Sequence, residues 1–129
     1  MLPTIESLAA ALAAGRTSSV ALTTAALARA TDPAGEGARV FTRIDADRAM
    51  ALAQASDRLR ERGLARSPID GLPVSVKDLF DIGGQTTCAG SVVLSDAAPA
   101  ARNAVVVDRL ATRALHRAAD VSRSQLPLQ

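Results

Sequence analysis

The sequence has no tryptophan, no tyrosine and two phenylalanines, and its 129 residues include one cysteine, one histidine and one lysine. The single thiol, Cys88, excludes a disulfide framework and a zinc site built from cysteines. No run of about 20 apolar residues is present, which excludes a helical membrane span, and no Gly-X-Y period marks a collagen-like rod. The opening segment MLPTIESLAAALAAG lacks a positively charged stretch and carries Glu6 among its apolar residues. It reads as mature protein rather than as a signal peptide, so a cytoplasmic location with no membrane partner is expected. The scarcity of aromatics also limits the core. A hydrophobic fraction of 48% excludes a disordered chain, yet 28 residues are alanine. Small side chains bury little area each, so the core is expected to be thin and the chain reads as part of a larger folded unit.

Charge is sparse and unevenly placed. Residues 1–96 carry nine Arg and Lys77 against eleven acids, whereas residues 97–129 carry five Arg against two Asp. The net charge of +2 thus reflects an arginine-bearing C-terminal part rather than a dense basic patch, and no nucleic-acid partner is expected.

Hydrophobic periodicity places helices first. Thr4 caps a helix whose Ile5, Leu8, Ala9 and Leu12 share one face, and Gly15 ends it. Ser18 or Ser19 caps a second, running to about Ala30 before the Asp32-Pro33 turn. Arg39 to Ile44 reads as a short extended segment. Asp45 caps a third helix with Ala49, Leu52, Ala53, Ser56 and Leu59 on one face and Asp47, Arg58 and Glu61 opposite, ended by Gly63. From Ser67 the pattern changes. Ser67-Pro68-Ile69-Asp70-Gly71 reads as a turn and Leu72 to Lys77 as a strand, with Val74 and Val76 on one face and Ser75 and Lys77 on the other. Asp81 to Ser91, rich in glycine and small polar residues, is a loop that approaches other backbone closely. Val92, Val93 and Leu94 are expected to begin another strand. A fourth helix is expected from Asn103 onward, burying Val107, Leu110, Ala111, Ala114 and Ala118 and turning Arg109, Arg113 and Arg117 outward.

Lys77 is the only lysine; the other fourteen basic residues are arginine. An arginine stays charged in a protein, whereas burial or a neighbouring charge can bring a lysine to the neutral form that accepts a proton. A lone lysine on a strand ahead of a glycine-rich loop is a place for general-base chemistry, or simply a strand-end lysine in an arginine-biased composition.

The segment GLPVSVKDLFDIGGQTTCAGS, residues 71–91, resembles the first signature block of the amidase signature family, G-[LI]-P-x-x-[VI]-K-D followed by T-x-x-G-[ST]. The preceding layout is similar as well, with two helices, an extended Val40-Phe41 segment and an alanine-rich helix ending at Gly63. The resemblance spans about residues 4 to 110. It implies an α/β fold, here the N-terminal helices and first strands of a mixed-sheet domain, incomplete in itself. It further implies hydrolysis, or ammonia-linked transfer, at a non-peptide amide C–N bond of a small molecule by a Ser–cis-Ser–Lys triad, with no metal or organic cofactor. The family's catalytic lysine falls on Lys77. Both serines belong to a downstream block of the type G-G-S-S-G-G-S, which this sequence lacks; its last glycine is Gly90. Turnover by this chain alone is therefore not expected.

Residues 1–110 read as the N-terminal part of such a domain and 111–129 as an atypical tail, frame-shifted or truncated, without a glycine turn or a hydrophobic strand. Three other constellations are weaker. Ser75 and Lys77 share a strand face about 7 Å apart, too far for direct proton transfer. Asp78 and Asp81 lack a third ligand and read as turn residues, and Cys88 reads as a packed or half-exposed thiol, with His116 remote on the fourth helix. The competing reading is a non-catalytic short paralogue, or a binding module that uses the arginine stripe of the fourth helix.

Overall fold

Thr4, Ser18 and Asp45 each stand immediately before a helix and cap it in the computed structural model, which describes residues 3–113 and 116–121. The Thr4 hydroxyl accepts from the Ser7 N–H at 3.1 Å and the Ser7 hydroxyl accepts in return from the Thr4 N–H at 2.9 Å, a reciprocal box. Ser18 Oγ accepts from the Ala21 N–H at 3.0 Å, and Asp45 Oδ1 from the Arg48 N–H at 3.2 Å. These caps open helices α1 (Ile5–Ala13), α2 (Ser19–Ala30) and, after a short turn, α4 (Ala46–Glu61). Between them lie a four-residue helical turn, α3 (Gly37–Val40), and strand β1 (Phe41–Ile44). The extended segment expected from Arg39 therefore starts two residues later. Gly37 sits so close to the end of α2 that a Cβ would lie 2.0 Å from the Ala30 carbonyl oxygen, and the Arg39 and Val40 N–H groups turn back to Glu36.

Helices α2 and α4 pack along a seam of small side chains: Ser19, Thr23 and Ala30 against Ala49, Ala53 and Ser56 are all buried. This is how a sequence poor in aromatics still forms a core, by bringing backbones close rather than by interlocking large side chains. Leu12 anchors α1, while Ile5, expected on the same buried face, is 68% exposed.

Strand β2 (Pro73–Lys77) follows, then a long loop, helix α5 (Val105–Thr112) and strand β3 (His116–Val121). Two expectations are corrected here. The fourth helix ends at Thr112, and the segment expected to continue it forms a strand, so Ala118 and Arg117 belong to β3 and not to a helix face; Ala114 lies outside the described residues. Of the face expected to be buried, Val107 is buried, Leu110 half-buried and Ala111 exposed. Strand β3 is central: it pairs antiparallel with β1 (Ile44 beside Ala119) and parallel with β2 (Pro73 beside His116, Lys77 beside Val121). Pairing on both sides supplies the ladder that HRAADV does not advertise through β-branched content. Val92, Val93 and Leu94, expected as a strand, instead form turns closed by the Ser95 N–H on Val92 O and the Ala97 N–H on Leu94 O.

The layering has a consequence for the site. Val74 and Val76 line a mostly apolar cavity of about 80 Å³ with Arg48 and Leu52 of α4 and Val107 and Leu110 of α5. Helices thus cover that face of β2. Its other face carries Ser75 and Lys77, both exposed.

Candidate active site

Strand alternation sends the Lys77 side chain away from the helices. Lys77 is the last residue of β2, and among the described residues its side chain makes no hydrogen bond or ion pair. Its carbonyl accepts from the Phe80 N–H at 3.1 Å, a tight turn that ends the strand and starts the glycine-rich loop.

That loop is tied down polar group by polar group. Asp78 Oδ1 accepts from the Cys88 N–H at 3.1 Å, and Asp81 Oδ1 accepts from the Thr87 hydroxyl at 2.7 Å. The Asp81 carbonyl accepts from the Ala104 N–H, and the Gly83 N–H donates to Asn103 Oδ1 at 2.8 Å. Both aspartates therefore serve as acceptors that fold residues 78–91 back beside Lys77, consistent with their reading as turn residues. Among the described residues no three His, Cys, Asp or Glu side chains converge on a metal position. Cys88 is a half-buried free thiol. Backbone geometry at the loop's end is tight: Ala89 and Gly90 are both left-handed, φ 51° and 73°. A non-glycine residue held there marks a loop whose shape is imposed by its surroundings.

A second constellation holds the other end of β2. The Asp70 carboxylate is fully buried. Its Oδ1 accepts from the Ser56 hydroxyl at 2.6 Å and from Arg66 Nη2 at 3.1 Å; its Oδ2 accepts from the Arg66 N–H at 2.8 Å and from Nε at 3.1 Å. Arg60 also donates to the Asp70 carbonyl. Burial alone would raise the Asp70 pKa, but the hydrogen bonds from Arg66 and Ser56, with the Arg66 charge, outweigh it and hold the carboxyl below the usual range. The next residue, Gly71, has φ +94°, and a Cβ there would lie 1.8 Å from Ser19 Oγ. Glycine is required, because any side chain would part α2 from the turn that launches β2. The sequence pattern identified Asp70 and Gly71 as a turn but not as a buried anchor. The signal was available in Arg66 and Asp70, four apart, immediately ahead of Gly-Leu-Pro.

Residues 20–116 match the amidase family. The chain belongs to the amidase signature family. A glutamyl-tRNA(Gln) amidotransferase subunit of Chloroflexus aggregans is 42% identical over 109 residues, covering 83% of this chain and 22% of that protein. AtzE, a 1-carboxybiuret hydrolase subunit of Pseudomonas sp. strain ADP, is 45% identical over 100 residues, 77% of this chain and 21% of its own length. Peptide amidase from Stenotrophomonas maltophilia superposes with a TM-score of 0.77 at 29% identity, covering 91% of this chain and 24% of the enzyme. The chain thus spans about a fifth of the length of the curated relatives it matches. Its mixed helix and strand architecture is that of an incomplete amidase-signature α/β fold. No described helix is long and apolar enough to cross a membrane.

The arginine stripe invoked for a binding module does not exist as a helix face. Arg109 lies on α5, Arg113 follows the end of that helix, and Arg117 lies on β3 opposite Val74.

Proposed function

We propose that the chain carries the base-side portion of an amidase site, in which Lys77 accepts a proton during cleavage of an amide C–N bond in a small substrate. The observation that supports this reading is the position of Lys77: the last residue of β2, on the uncovered face, beside a loop held in place by Asp78 and Asp81. In the mechanism that the family resemblance implies, a neutral lysine draws a proton through one serine from a second, which attacks the carbonyl carbon; the proton then passes to the departing amine. Lysine is a base only when neutral, and burial favours that form. Lys77 is exposed, so the rest of the domain has both to cover it and to supply the two serines. The chain alone is accordingly inactive. The relatives include hydrolases and a component of an amidotransferase, and the portion of the domain present here fits either.

The test is a graft. This chain's matched segment replaces that of AtzE, and 1-carboxybiuret hydrolysis is measured in the AtzE assembly. Lys77→Ala and Lys77→Arg are each expected to lower turnover by about 10²–10⁴-fold with the fold retained. Turnover unchanged in Lys77→Arg, which keeps charge but gives up the proton-accepting form, would remove Lys77 from the mechanism.

A further inference from the structure

We propose that Asp78 is a positioning residue for Lys77: by gripping the Cys88 N–H it fixes the exit turn of β2, and with it the direction in which Lys77 leaves the strand. This deepens the reading of Lys77 as the base and rests on it. Val76 is the last buried side chain of β2. Of residues 77–81, Asp78 alone is half-buried; Lys77, Leu79, Phe80 and Asp81 are exposed. Apolar packing therefore stops one residue short of the lysine, and the backbone there depends on polar ties. Lys77 stands beside Val121 as the final register position of β2 on β3. Its carbonyl accepts from the Phe80 N–H at 3.1 Å, and Asp78 Oδ1 accepts from the Cys88 N–H at 3.1 Å. The first two are backbone contacts. Only the third is made by a side chain.

A tie transmits position only if its far end is itself held, and Cys88 is held from both sides. On one side, the Thr87 hydroxyl donates to Asp81 Oδ1 at 2.7 Å and the Thr86 hydroxyl to the Ala97 carbonyl at 2.9 Å. The Gly84 N–H donates to the Ala100 carbonyl at 2.8 Å, and the Ala100 N–H to the Gln85 carbonyl at 2.9 Å. On the other side, the Ser91 N–H closes on the Cys88 carbonyl at 2.8 Å, with Ala89 left-handed between them at φ 51°. Asp78 thus joins the end of the strand to a fixed point rather than to a free loop.

What Asp78 contributes is its acceptor oxygen. A neighbouring carboxylate favours the charged form of a lysine and so works against a base, which leaves the hydrogen bond, not the charge, as the useful part. Asparagine keeps such an oxygen and gives up the charge, so it separates the two.

The experiment compares Asp78→Ala with Asp78→Asn in the 129-residue chain and in the AtzE graft. In the chain, Asp78→Ala is expected to speed amide exchange at Cys88 and Phe80 by about tenfold or more while the interior of α4 is unaffected. Asp78→Asn is expected to leave these rates near the parent's. In the graft, Asp78→Ala is expected to lower kcat by about 10²-fold, the cost of misplacing a reacting group by about 1 Å. KM is expected to stay unchanged, since the proton transfer belongs to the chemical step. Asp78→Asn is expected to restore most of the turnover. On a Lys77→Ala background, Asp78→Ala is expected to add no further loss, because nothing remains to be positioned. Should Asp78→Ala not fold in the graft, Asp78→Ser, too short to reach Cys88, takes its place with the same expectations. Unchanged kcat in Asp78→Ala, Asn as damaging as Ala, or full additivity with Lys77→Ala would each overturn the proposal. The two readings fail separately. Full turnover in Lys77→Arg removes the base and this proposal with it, whereas loss in Lys77→Arg without loss in Asp78→Ala keeps the base and removes Asp78.

Discussion

Asp70 does more for the architecture than its place in a surface-looking turn suggests. One carboxylate joins Ser56 of α4, the Arg66 guanidinium and the Arg66 backbone, and the glycine next to it closes on Ser19 of α2. Replacing Asp70 by Asn swaps an acceptor for an amide N–H₂ facing donors, and leaves Arg66 without its counter-charge. We expect a loss of about 2–4 kcal/mol, read by urea unfolding. The pH dependence follows from the direction of the shift. The folded-state pKa lies below the unfolded one, so the unfolded chain binds the extra proton first as pH falls. The contribution of Asp70 is therefore fully present above about pH 4 and is lost progressively below it. As pH falls below about 4 the stability of the parent should fall more steeply than that of Asp70→Asn. Parallel curves would show that the carboxylate is not held in its charged form by these partners.

Among the elements, α2 depends on α4 for its start. Ser18 caps the Ala21 N–H, but the Ser19 and Val20 N–H groups donate to Asp57, at 2.7 Å on Oδ1 and 3.0 Å on Oδ2. A carboxylate at a helix N-terminus also meets the positive end of the helix dipole. Asp57→Ala is expected to cost about 1–2 kcal/mol in thermal unfolding, and Asp57→Asn less, since the amide oxygen keeps one acceptor. Equal losses from Asn and Ala would locate the effect in charge rather than in capping. The helices were legible in the sequence for related reasons: Thr4, Ser18 and Asp45 caps, with Gly15 and Gly63 stops at φ 65° and 70°, are local signals. Strand β2 was legible too, through alternation of Val74 and Val76 with Ser75 and Lys77. Strand β3 was not, because its alanines favour helix and only pairing with β1 and β2 makes it a strand. The Val92 to Leu94 run misled for the converse reason: among the described residues no strand pairs with its β-branched Val92 and Val93. The placement of Lys77 was readable from the resemblance and from strand alternation, whereas the buried carboxylate supporting that strand was not, since burial of Asp70 depends on contacts between three separate segments.

At the scale of the whole molecule, stability is unevenly distributed. Core residues Ala30, Ala49, Ala53, Leu72, Val76 and Val107 come from α2, α4, β2 with the residue ahead of it, and α5, and Leu12 adds α1 to them. Residues 79–104 contribute no buried apolar side chain, although they are hydrogen-bonded into a definite shape. Hydrogen bonds on an exposed lobe open locally, without unfolding the rest, because no large apolar burial is lost when they part. Amide exchange in the isolated chain is therefore expected to show two tiers. The interior amides of α2 and α4 should exchange only through global opening and share its denaturant dependence. The Gly84, Gln85 and Ala100 amides, each bonded within the lobe, should exchange faster and with little denaturant dependence. If the lobe amides were protected as strongly as those of α4, the apolar side chains of residues 79–106 would have to be buried by a contact the isolated chain makes with itself.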